Sequence, residues 1–297
     1  MIDFTNSKEV ICDYSGSEKK KKIIYNNNYC LLKFPDPIRK KDKKISYINN
    51  VFSEYIGSKI FKELKIPVQE VIIGKYKEPD TSSTLIKEKT VVACKDFTNN
   101  NKKLIEFSKL MNSVTTSDKK FKTDIKDIYE VINNLNLNIK RKEIIDNFWN
   151  MFVVDSLIGN VDRHLSNWGV IEENENIYFS NVYDCGSSLH PLLSDEEMQE
   201  IIKDKTKFKE TVFSIYPIYK YDNKKLTYNE FYNKNIKDLN NALLRIYPNI
   251  NINNINKIID ETPMSQIRKE FLKKSILFRK ENILDKAYNK LKWFFVK

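Results

Sequence analysis

The chain has 297 residues, of which 41% are hydrophobic and 12% aromatic, so it can bury a substantial core in one large domain or two lobes. No stretch approaches the roughly eighteen consecutive apolar residues of a membrane-spanning helix, and the N-terminus lacks the pattern of a secretory signal. The four cysteines are scattered and there are only two histidines, which argues against a zinc site or a disulfide framework and favours a reducing cytoplasm.

The net charge is +11, from 51 basic and 40 acidic residues. A basic chain attracts nucleic acid, acidic lipid or phosphorylated ligands. Lysine greatly outnumbers arginine, however, and the abundance of lysine, asparagine and isoleucine is what an AT-rich genome produces by itself. No recognition helix or aromatic platform supports binding of nucleic acid, so the charge alone identifies no partner.

The first hundred residues predict a small lobe of mixed α and β structure. Residues 23–34 (IIYNNNYCLLKF) predict two short strands around an asparagine-rich turn. Residues 45–65 have the spacing of an amphipathic helix, which Pro67 ends. Two further strands are predicted over 67–78 and 90–97 (TVVACKDF), with a polar hairpin loop between them.

Beyond a polar break after Phe97 the pattern becomes mainly helical. Residues 143–159 (EIIDNFWNMFVVDSLIG) are apolar almost all round, which is typical of a buried central helix. Residues 177–184 return briefly to strand character. Helix after helix is predicted from Ser194 to Lys297, with breaks near three prolines, Pro217, Pro248 and Pro263.

This outline is an α+β fold with two lobes. We predict a small N-lobe with a mixed β-sheet over residues 1–98 and a larger, mainly helical C-lobe over residues 99–297. The three tryptophans, Trp149, Trp168 and Trp293, are expected in the core, because nothing arranges them as a stacking surface.

A cluster of polar residues follows the buried helix. The segment IGNVDRHLSNWGV, 158–170, contains Asp162 and, five residues later, Asn167, and Asp184 follows at the end of a short strand, just before Gly186. Transfer of a γ-phosphoryl group needs a carboxylate that orients the attacking hydroxyl and hard oxygen ligands for Mg²⁺. The alternative is an ordinary hydrogen-bonded loop capped by Asp162. The compatible offsets of the three side chains favour the phosphoryl-transfer site.

These motifs resemble those of known kinases. D-R-H-L-S-N is similar to the catalytic loop of protein kinases, and Y-D-C-G to their metal-binding motif. The longer string L-I-G-N-x-D-R-H-x-x-N-W-G, followed by Y-D-C-G-S-S-L, more closely resembles the HipA-like kinases. Within them the cell-translocating kinase A type is most similar, through F-S-E-Y (52–55), V-V-A-C-K-D-F (91–97) and L-L-R-I-Y-P (243–248). The resemblance extends from about residue 14 to about residue 280.

The resemblance implies a two-lobed, protein-kinase-like fold, ATP and Mg²⁺ as cofactors, and a protein Ser or Thr hydroxyl as the acceptor. It also implies a role for each matching residue. Asp162 would be the catalytic base or hydroxyl-orienting carboxylate, and Asn167 and Asp184 would bind Mg²⁺. Lys33 would contact the α- and β-phosphates, and Glu54 would pair with Lys33 and hold it in place.

The resemblance further implies how adenine is bound. Residues 92–97 would form the strand that connects the lobes, and the backbone groups of Cys94, Lys95 and Phe97 would meet the adenine. Recognition by the backbone would leave the side chains there unrestricted.

The phosphate-covering loop would be DYSGSEKKKK, 13–22, with Ser15, Gly16 and Ser17 at its centre. It is poor in glycine, but its backbone N–H groups and lysines suit phosphate. In some HipA-like kinases serines of this loop are autophosphorylated. We therefore expect autophosphorylation at Ser15 or Ser17, with lower affinity for ATP as its consequence.

The catalytic loop also departs from the pattern of common protein kinases. Arg163 and His164 follow the catalytic aspartate instead of preceding it, which fits the HipA-like group but leaves their roles open. Asp155 lies inside the apolar helix, and we expect it to hydrogen-bond to the loop that follows. Ile158 and Trp168 are expected to pack beside the loop.

Several functional alternatives stay open. A lipid or small-molecule kinase of the same fold, or a nucleotide-binding pseudokinase, would carry the same motifs. HipA-like kinases include toxins of toxin–antitoxin pairs and proteins proposed to act on host cells, so an antitoxin partner and translocation to a host are both compatible with the sequence. A cytoplasmic location is the default expectation.

Overall fold

The computed structural model describes residues 1–11, 19–35, 49–79, 86–114, 123–135, 140–174 and 176–295. Ser15, Gly16 and Ser17, at the centre of the predicted phosphate-covering loop, lie outside the described residues. So does nearly all of the polar loop predicted between the third and fourth strands.

A mixed sheet dominates the N-terminal part of the described chain. The strands are β1 (Ile2–Asp3), β2 (Lys8–Val10), β3 (Lys20–Tyr25), β4 (Asn28–Lys33), β5 (Val71–Pro79) and β6 (Ile86–Lys95). Their order in the sheet is β1-β5-β6-β4-β3-β2, with β1 parallel to β5 and every other neighbouring pair antiparallel. The predicted asparagine-rich turn joins β3 to β4, where Asn26 and Asn27 adopt left-handed φ angles of 47° and 60°. Asparagine tolerates this conformation well, and it matches the twist of a two-residue hairpin.

The helix predicted before Pro67 is α1 (Asn50–Glu63), and it covers one face of this sheet. Val51 of α1 packs against Val92 and Cys94 of β6 in a buried cluster on that face. The alternate β6 residues, including Val91, belong to a second buried cluster on the opposite face. Because side chains alternate along a strand, Leu31 and Lys33 of β4 project on the α1 side.

The helical part surrounds α4 (Arg141–Ile158), the buried central helix that the apolar run predicts. Phe148, Trp149 and Phe152 of α4 lie in its core and are at most 1% exposed. The other helices are α2 (Phe107–Val114), α3 (Ile125–Asn134), α5 (Asp195–Lys203), α6 (Lys205–Phe213), α7 (Tyr228–Tyr232), α8 (Lys237–Ile246), α9 (Ile252–Glu261), α10 (Gln266–Arg279) and α11 (Asp285–Phe295). A π-helical segment, Lys280–Leu284, connects α10 to α11.

The helical part also contains strands, of which the sequence predicted only one, over residues 177–184; the structure has a strand at Asn176–Phe179 there. β7 (Lys102–Glu106), β8 (Gly169–Glu173) and β9 (Asn176–Phe179) form a three-stranded antiparallel sheet. A short hairpin joins β10 (Lys220–Tyr221) to β11 (Lys224–Lys225). β7 is short and rich in charge, so its pairing with β8, more than 60 residues further along the chain, rather than its local pattern, makes it a strand.

The tryptophans divide between core and surface. Trp149 and Trp168 are fully buried, as expected, and Trp168 stacks on Phe107 with ring centroids 4.1 Å apart. Trp293 is 59% exposed, so the prediction that it lies in the core is wrong. It lies in the last turns of α11, where the preceding Leu291 is partly exposed and Lys292 is exposed. The division into lobes after residue 98 stays a prediction.

In the described ranges, no helix is both long and apolar enough to cross a membrane.

A buried arginine contacts His190. Arg279 is fully buried, donates from Nε to the carbonyl of Leu157 at 2.8 Å, and places Nη1 3.1 Å from His190 Nε2. Burial lowers the pKa of His190 to about 3, and the charges of Arg279 and Arg268 act in the same direction. His190 is therefore neutral in the folded protein at neutral pH.

This environment predicts that acid destabilises the protein through His190. Between pH 6.5 and about 3 the unfolded chain binds a proton at His190 that the folded chain does not, so stability falls as the pH falls, by up to about 1.4 kcal/mol per pH unit. His190→Asn, which cannot titrate and tolerates the left-handed φ of 54°, should remove this contribution. Urea unfolding of both proteins at several pH values measures it. A constant stability difference over the whole range would contradict the prediction.

Candidate active site

A cleft of about 770 Å³ lies where the N-terminal sheet meets the helical part. Six of the residues that the sequence predicts for the site line it: Lys33, Cys94, Phe97, Asp162, Asn167 and Asp184. Glu54 and Lys95 are not among the described residues that line the cleft. The structure therefore brings the predicted catalytic and metal-binding side chains to one place.

Lys33 at the end of β4 contacts two carboxylates. Its Nζ lies 2.8 Å from Oε2 of Glu54 and 2.9 Å from Oδ1 of Asp184. Burial by itself would lower the pKa of Lys33, but the charges of Asp184 and Glu54 outweigh it and hold the pKa well above its usual value. Burial would raise the pKa of Asp184, yet Lys33 holds it below the usual value. Lys33 and Asp184 are therefore both charged at neutral pH.

Glu54 also connects α1 to the loop that follows Asp184. The Glu54 side chain is 1% exposed, and its Oε1 accepts a hydrogen bond from the backbone N–H of Cys185 at 3.1 Å. Gly57, one turn further along α1, permits this approach, because a Cβ there would lie only 2.7 Å from Cβ of Cys185. The same carboxylate thus positions both Lys33 and the loop that begins at Asp184.

The loop with Asp162 is held by side-chain amides. Helix α4 ends at Ile158 and is capped by Gly159, and the Nδ2 of Asn160 then donates back to Oδ1 of Asp155 at 3.0 Å. The Oδ1 of Asn160 accepts from the backbone N–H of Asp162 at 3.1 Å, and the Nδ2 of Asn167 donates to the carbonyl of Asp162 at 2.9 Å. Since the nitrogen of the Asn167 amide is used in this way, its oxygen is the atom available to a cation.

Asp155 contacts this loop as the sequence predicted, and it does so through Arg163 as well as through Asn160. Both carboxylate oxygens of Asp155 accept from the guanidinium of Arg163, at 2.9 and 3.0 Å. Both side chains are 1% exposed. His164, by contrast, lines the cleft, and its Nδ1 accepts from the backbone N–H of Ser166 at 3.2 Å.

The predicted adenine-binding segment is partly occupied by contacts within the protein. The backbone N–H of Lys95 donates to the carbonyl of Glu70 at 2.8 Å, and the carbonyl of Lys95 accepts from Nε2 of Gln69 at 3.0 Å. The ring of Phe97 lines the cleft and lies 6.0 Å from the ring of Tyr183. Phe97 is therefore better placed than Lys95 to contact a nucleotide. Cys94 is buried, and burial raises the pKa of its thiol well above the usual value.

The donor atoms fit Mg²⁺ bound together with a nucleotide. Asn167 and Asp184 offer amide and carboxylate oxygens, and Mg²⁺ is usually held by one or two such groups plus phosphate oxygens. In the part of the chain that the structure describes, no cluster of three or more His, Cys, Asp or Glu side chains is arranged to hold a metal ion without a nucleotide.

Five described lysines besides Lys33 line the cleft; the sequence assigned the KKKK run of residues 19–22 to phosphate only as a whole and gave no role to the other three. In β3, Lys20 pairs with Lys33 of β4 and Lys22 pairs with Leu31, so both β3 lysines face the same side as Lys33. Three more come from the segment after the lobe connection, Lys102, Lys103 and Lys109. The alternation within the KKKK run of β3 was the signal that could have identified the first two.

Comparison with known proteins identifies the family of the chain. The model of the HipA-like C-terminal domain family matches residues 13–262. The chain is 38% identical over 300 residues to the serine/threonine-protein kinase CtkA of Helicobacter pylori strain J99. The alignment covers 97% of this chain and 88% of that protein. It also matches the crystal structure of a Helicobacter pylori proinflammatory kinase CtkA with a TM-score of 0.87 and 37% identity, over 97% of each chain. The resemblance seen in the motifs is thus confirmed, and the chain belongs to the HipA-like kinases, with their α+β, protein-kinase-like fold.

Proposed function

We propose that the protein is an ATP- and Mg²⁺-dependent serine/threonine protein kinase that transfers the γ-phosphoryl group to a protein hydroxyl. The main support is that Lys33, Asp162, Asn167 and Asp184 line one cleft, although Lys33 and Asp184 are 151 positions apart in the sequence. The serine/threonine kinase CtkA, which is similar over nearly the whole chain, supports the same reaction class.

In this proposal the N-terminal part of the cleft binds the nucleotide. Lys33 contacts the α- and β-phosphates, and the ion pair with Glu54 holds the ammonium group of Lys33 in position. The ring of Phe97 forms part of the wall on which adenine lies. Ser15, Gly16 and Ser17 would cover the phosphates. Lys20 and Lys22, on the same side of the sheet as Lys33, add positive charge to the cleft.

Asn167 and Asp184 would hold the magnesium ion through oxygen atoms. The ion, when bound, neutralises negative charge on the phosphates. The Lys33 ammonium group, 2.9 Å from Asp184, keeps that carboxylate ionised and ready to act as a ligand. The two residues come from different loops, so their relative position depends on the contacts between those loops.

Asp162 would orient the acceptor hydroxyl and accept its proton. Hydrogen bonds from Asn167 to its carbonyl and from its N–H to Asn160 hold the backbone of Asp162 on both sides. The hydroxyl oxygen forms a bond to the γ-phosphorus while the bond from that phosphorus to the β–γ bridging oxygen breaks, and ADP leaves. Alignment of the reacting groups and charge stabilisation supply most of the rate enhancement in this chemistry.

A lipid or small-molecule kinase of the same fold is the second candidate. The lysines that line the cleft favour an anionic acceptor as well as the nucleotide itself. Incubation with phosphoinositide vesicles and with protein acceptors, side by side, separates the two candidates. Phosphorylation of lipid with none on protein would favour the second.

The direct test is the intact mass of the purified full-length protein after incubation with MgATP. We expect the mass of the wild type to increase by one or more phosphate groups and the mass of Asp162→Asn to stay unchanged. A wild type that gains no phosphate, phosphorylates no added protein and shows no stabilisation by nucleotide would contradict the proposed function. Stabilisation by nucleotide without transfer to any acceptor would instead indicate a pseudokinase.

The same experiment tests autophosphorylation at the phosphate-covering loop. Phosphate on Ser15 or Ser17 adds a charge of roughly −2 next to the expected position of the ATP phosphates. We expect it to weaken ATP binding by roughly tenfold, which corresponds to a repulsion of about 1.4 kcal/mol. Fragmentation of the phosphorylated protein locates the sites. If Ser15→Ala with Ser17→Ala changes neither phosphate incorporation nor ATP affinity, the prediction is wrong.

The biological setting stays a prediction. A toxin with an antitoxin partner and an effector that is translocated to a host cell would both use this reaction. Expression of the wild type and of Asp162→Asn in a bacterial host distinguishes them in part, because growth arrest by the active protein alone would support the toxin role.

A further inference from the structure

Arg163 connects the two loops that carry the predicted metal ligands. Its Nη1 donates to the backbone carbonyl of Asn167 at 3.1 Å and to that of Asp184 at 3.1 Å, and it also donates to the carbonyl of Tyr183. One nitrogen atom thus contacts the backbone of both ligand residues. We propose that Arg163 is a positioning residue that sets the distance between Asn167 and Asp184, and that Asp155 holds its guanidinium in place. This inference rests on the proposed function.

The guanidinium is fixed on every side. Asp155 of the central helix α4 accepts from Nε at 2.9 Å and from Nη2 at 3.0 Å. Nη2 also lies 3.5 Å from Sγ of Cys185, and the centre of the group lies 6.0 Å from the ring centroid of Phe61 on α1. Arg163 therefore has one orientation, which α4 and α1 together define.

Stability alone does not account for this ion pair. Removing two charges from water offsets most of the attraction between them, so apolar residues of similar volume often stabilise a protein as well or better. A bidentate arginine–carboxylate pair does supply a fixed direction for the remaining N–H groups. Here that direction points at backbone carbonyls of two loops, which are also joined by a backbone hydrogen bond from the N–H of Val161 to the carbonyl of Ser187 at 3.4 Å.

The backbone at Asp184 also needs support. Asp184 has a left-handed φ of 58°, a conformation that costs free energy for a residue other than glycine. The hydrogen bond from Arg163 to its carbonyl and the one from Cys185 N–H to Glu54 hold both sides of the single peptide group that follows this strained residue. The strain persists because these contacts define the chain direction at the metal-binding aspartate.

Lysine cannot replace Arg163 in this arrangement. Its single ammonium group carries the charge but lacks the planar fork that reaches Asp155 with two nitrogens and the carbonyls with a third. Arg163→Lys therefore keeps the charge and loses the geometry. Asp155→Asn keeps a hydrogen-bond acceptor and weakens the hold on the guanidinium, so the two variants disturb the same connection from opposite ends.

A matched control is available at Arg268. This arginine is also buried, 3% exposed, pairs with Asp195 at 3.1 Å, and donates to the carbonyl of Leu193 at 2.6 Å. It contacts neither Asn167 nor Asp184 in the described structure. Arg268→Lys therefore reports what the loss of a buried arginine fork does without any effect on the two loops.

The experiment measures metal binding separately from nucleotide binding and from folding. The full-length wild type, Arg163→Lys, Asp155→Asn and Arg268→Lys are compared by thermal unfolding, by ADP affinity in EDTA, by Mn²⁺ affinity of the ADP-saturated protein in EPR titrations, and by kcat with MgATP. We expect Arg163→Lys and Asp155→Asn to lose about 10- to 100-fold in Mn²⁺ affinity, with a lower kcat. Their ADP affinity without metal should stay within about twofold of the wild type, since Lys33 and Phe97 do not contact Arg163.

The outcomes separate the positioning role from a structural one. If the Arg163 and Asp155 variants bind Mn²⁺ as tightly as Arg268→Lys does, or lose metal-free ADP binding in parallel with Mn²⁺ binding, the positioning role is wrong. If Arg163→Lys does not fold, Asp155→Asn gives the same comparison. A wild type that binds neither ADP nor Mn²⁺–ADP contradicts the proposed function itself. Failure of the positioning role alone leaves both kinds of binding in the wild type, so the two results are distinguishable.

Discussion

Asp162→Asn is expected to lower kcat for phosphoryl transfer by about 10³-fold while leaving the fold and the nucleotide affinity intact. The amide cannot accept the hydroxyl proton, and contributions of this kind are typically about 10²- to 10⁴-fold. Asparagine has nearly the same shape, and the hydrogen bonds of the Asp162 backbone with Asn160 and Asn167 do not involve the substituted side chain. Initial rates at saturating MgATP, ADP affinity and thermal unfolding test the three parts of this prediction.

The control for Asp162→Asn is the same chemical change at Asp222. Asp222 is exposed, does not line the cleft, and has a left-handed φ of 50°, which asparagine adopts readily. Asp222→Asn should therefore retain full activity. If Asp162→Asn keeps more than about a tenth of the wild-type rate, Asp162 is the capping residue of a loop and the carboxylate that orients the hydroxyl lies elsewhere.

Lys33→Met is expected to abolish activity and also to destabilise the protein by about 3 kcal/mol. Lys33 is the partner of Glu54, a carboxylate only 1% exposed, and loss of one member of a buried ion pair leaves the other charge without compensation. Adding Glu54→Gln removes that charge and should recover more than half of the lost stability, because its Oε1 can still accept from the N–H of Cys185. Activity should stay lost in the double variant. Urea unfolding and the rate of phosphoryl transfer measure the two effects.

An exposed ion pair supplies the comparison for Lys33. Lys274 lies 2.6 Å from Glu270 on α10, and both side chains are about half exposed. Exposed pairs of this kind contribute about 0.5 kcal/mol, so Lys274→Met should cost little. Equal destabilisation by Lys33→Met and Lys274→Met would mean that Glu54 keeps a partner without Lys33. Recovery of activity in the Lys33→Met, Glu54→Gln protein would show that Lys33 does not contact the phosphates.

Parts of the fold follow from local patterns. The Asn26–Asn27 turn and the long apolar run of α4 were predictable because a two-residue hairpin and a buried helix each depend on residues close together in the sequence. Strands β7 and β8 were not predictable, since they pair with each other across 60 or more residues and have charged ends. Trp293 was misplaced because an aromatic side chain on an amphipathic terminal helix has the same local pattern whether it is buried or exposed.

For the site, the sequence by itself determined which side chains we propose to carry the chemistry. The spacing of Asp162, Asn167 and Asp184, and the motifs around Lys33 and Glu54, were enough to name them. Only the tertiary structure decided how they are held: Glu54 reaches Cys185, and Arg163 reaches the carbonyls of Asn167 and Asp184 from its pair with Asp155. The physical reason is that every residue has a backbone N–H or carbonyl of nearly the same kind. Residue types therefore carry no signal for contacts to the backbone, and only the folded chain shows which of these groups meet.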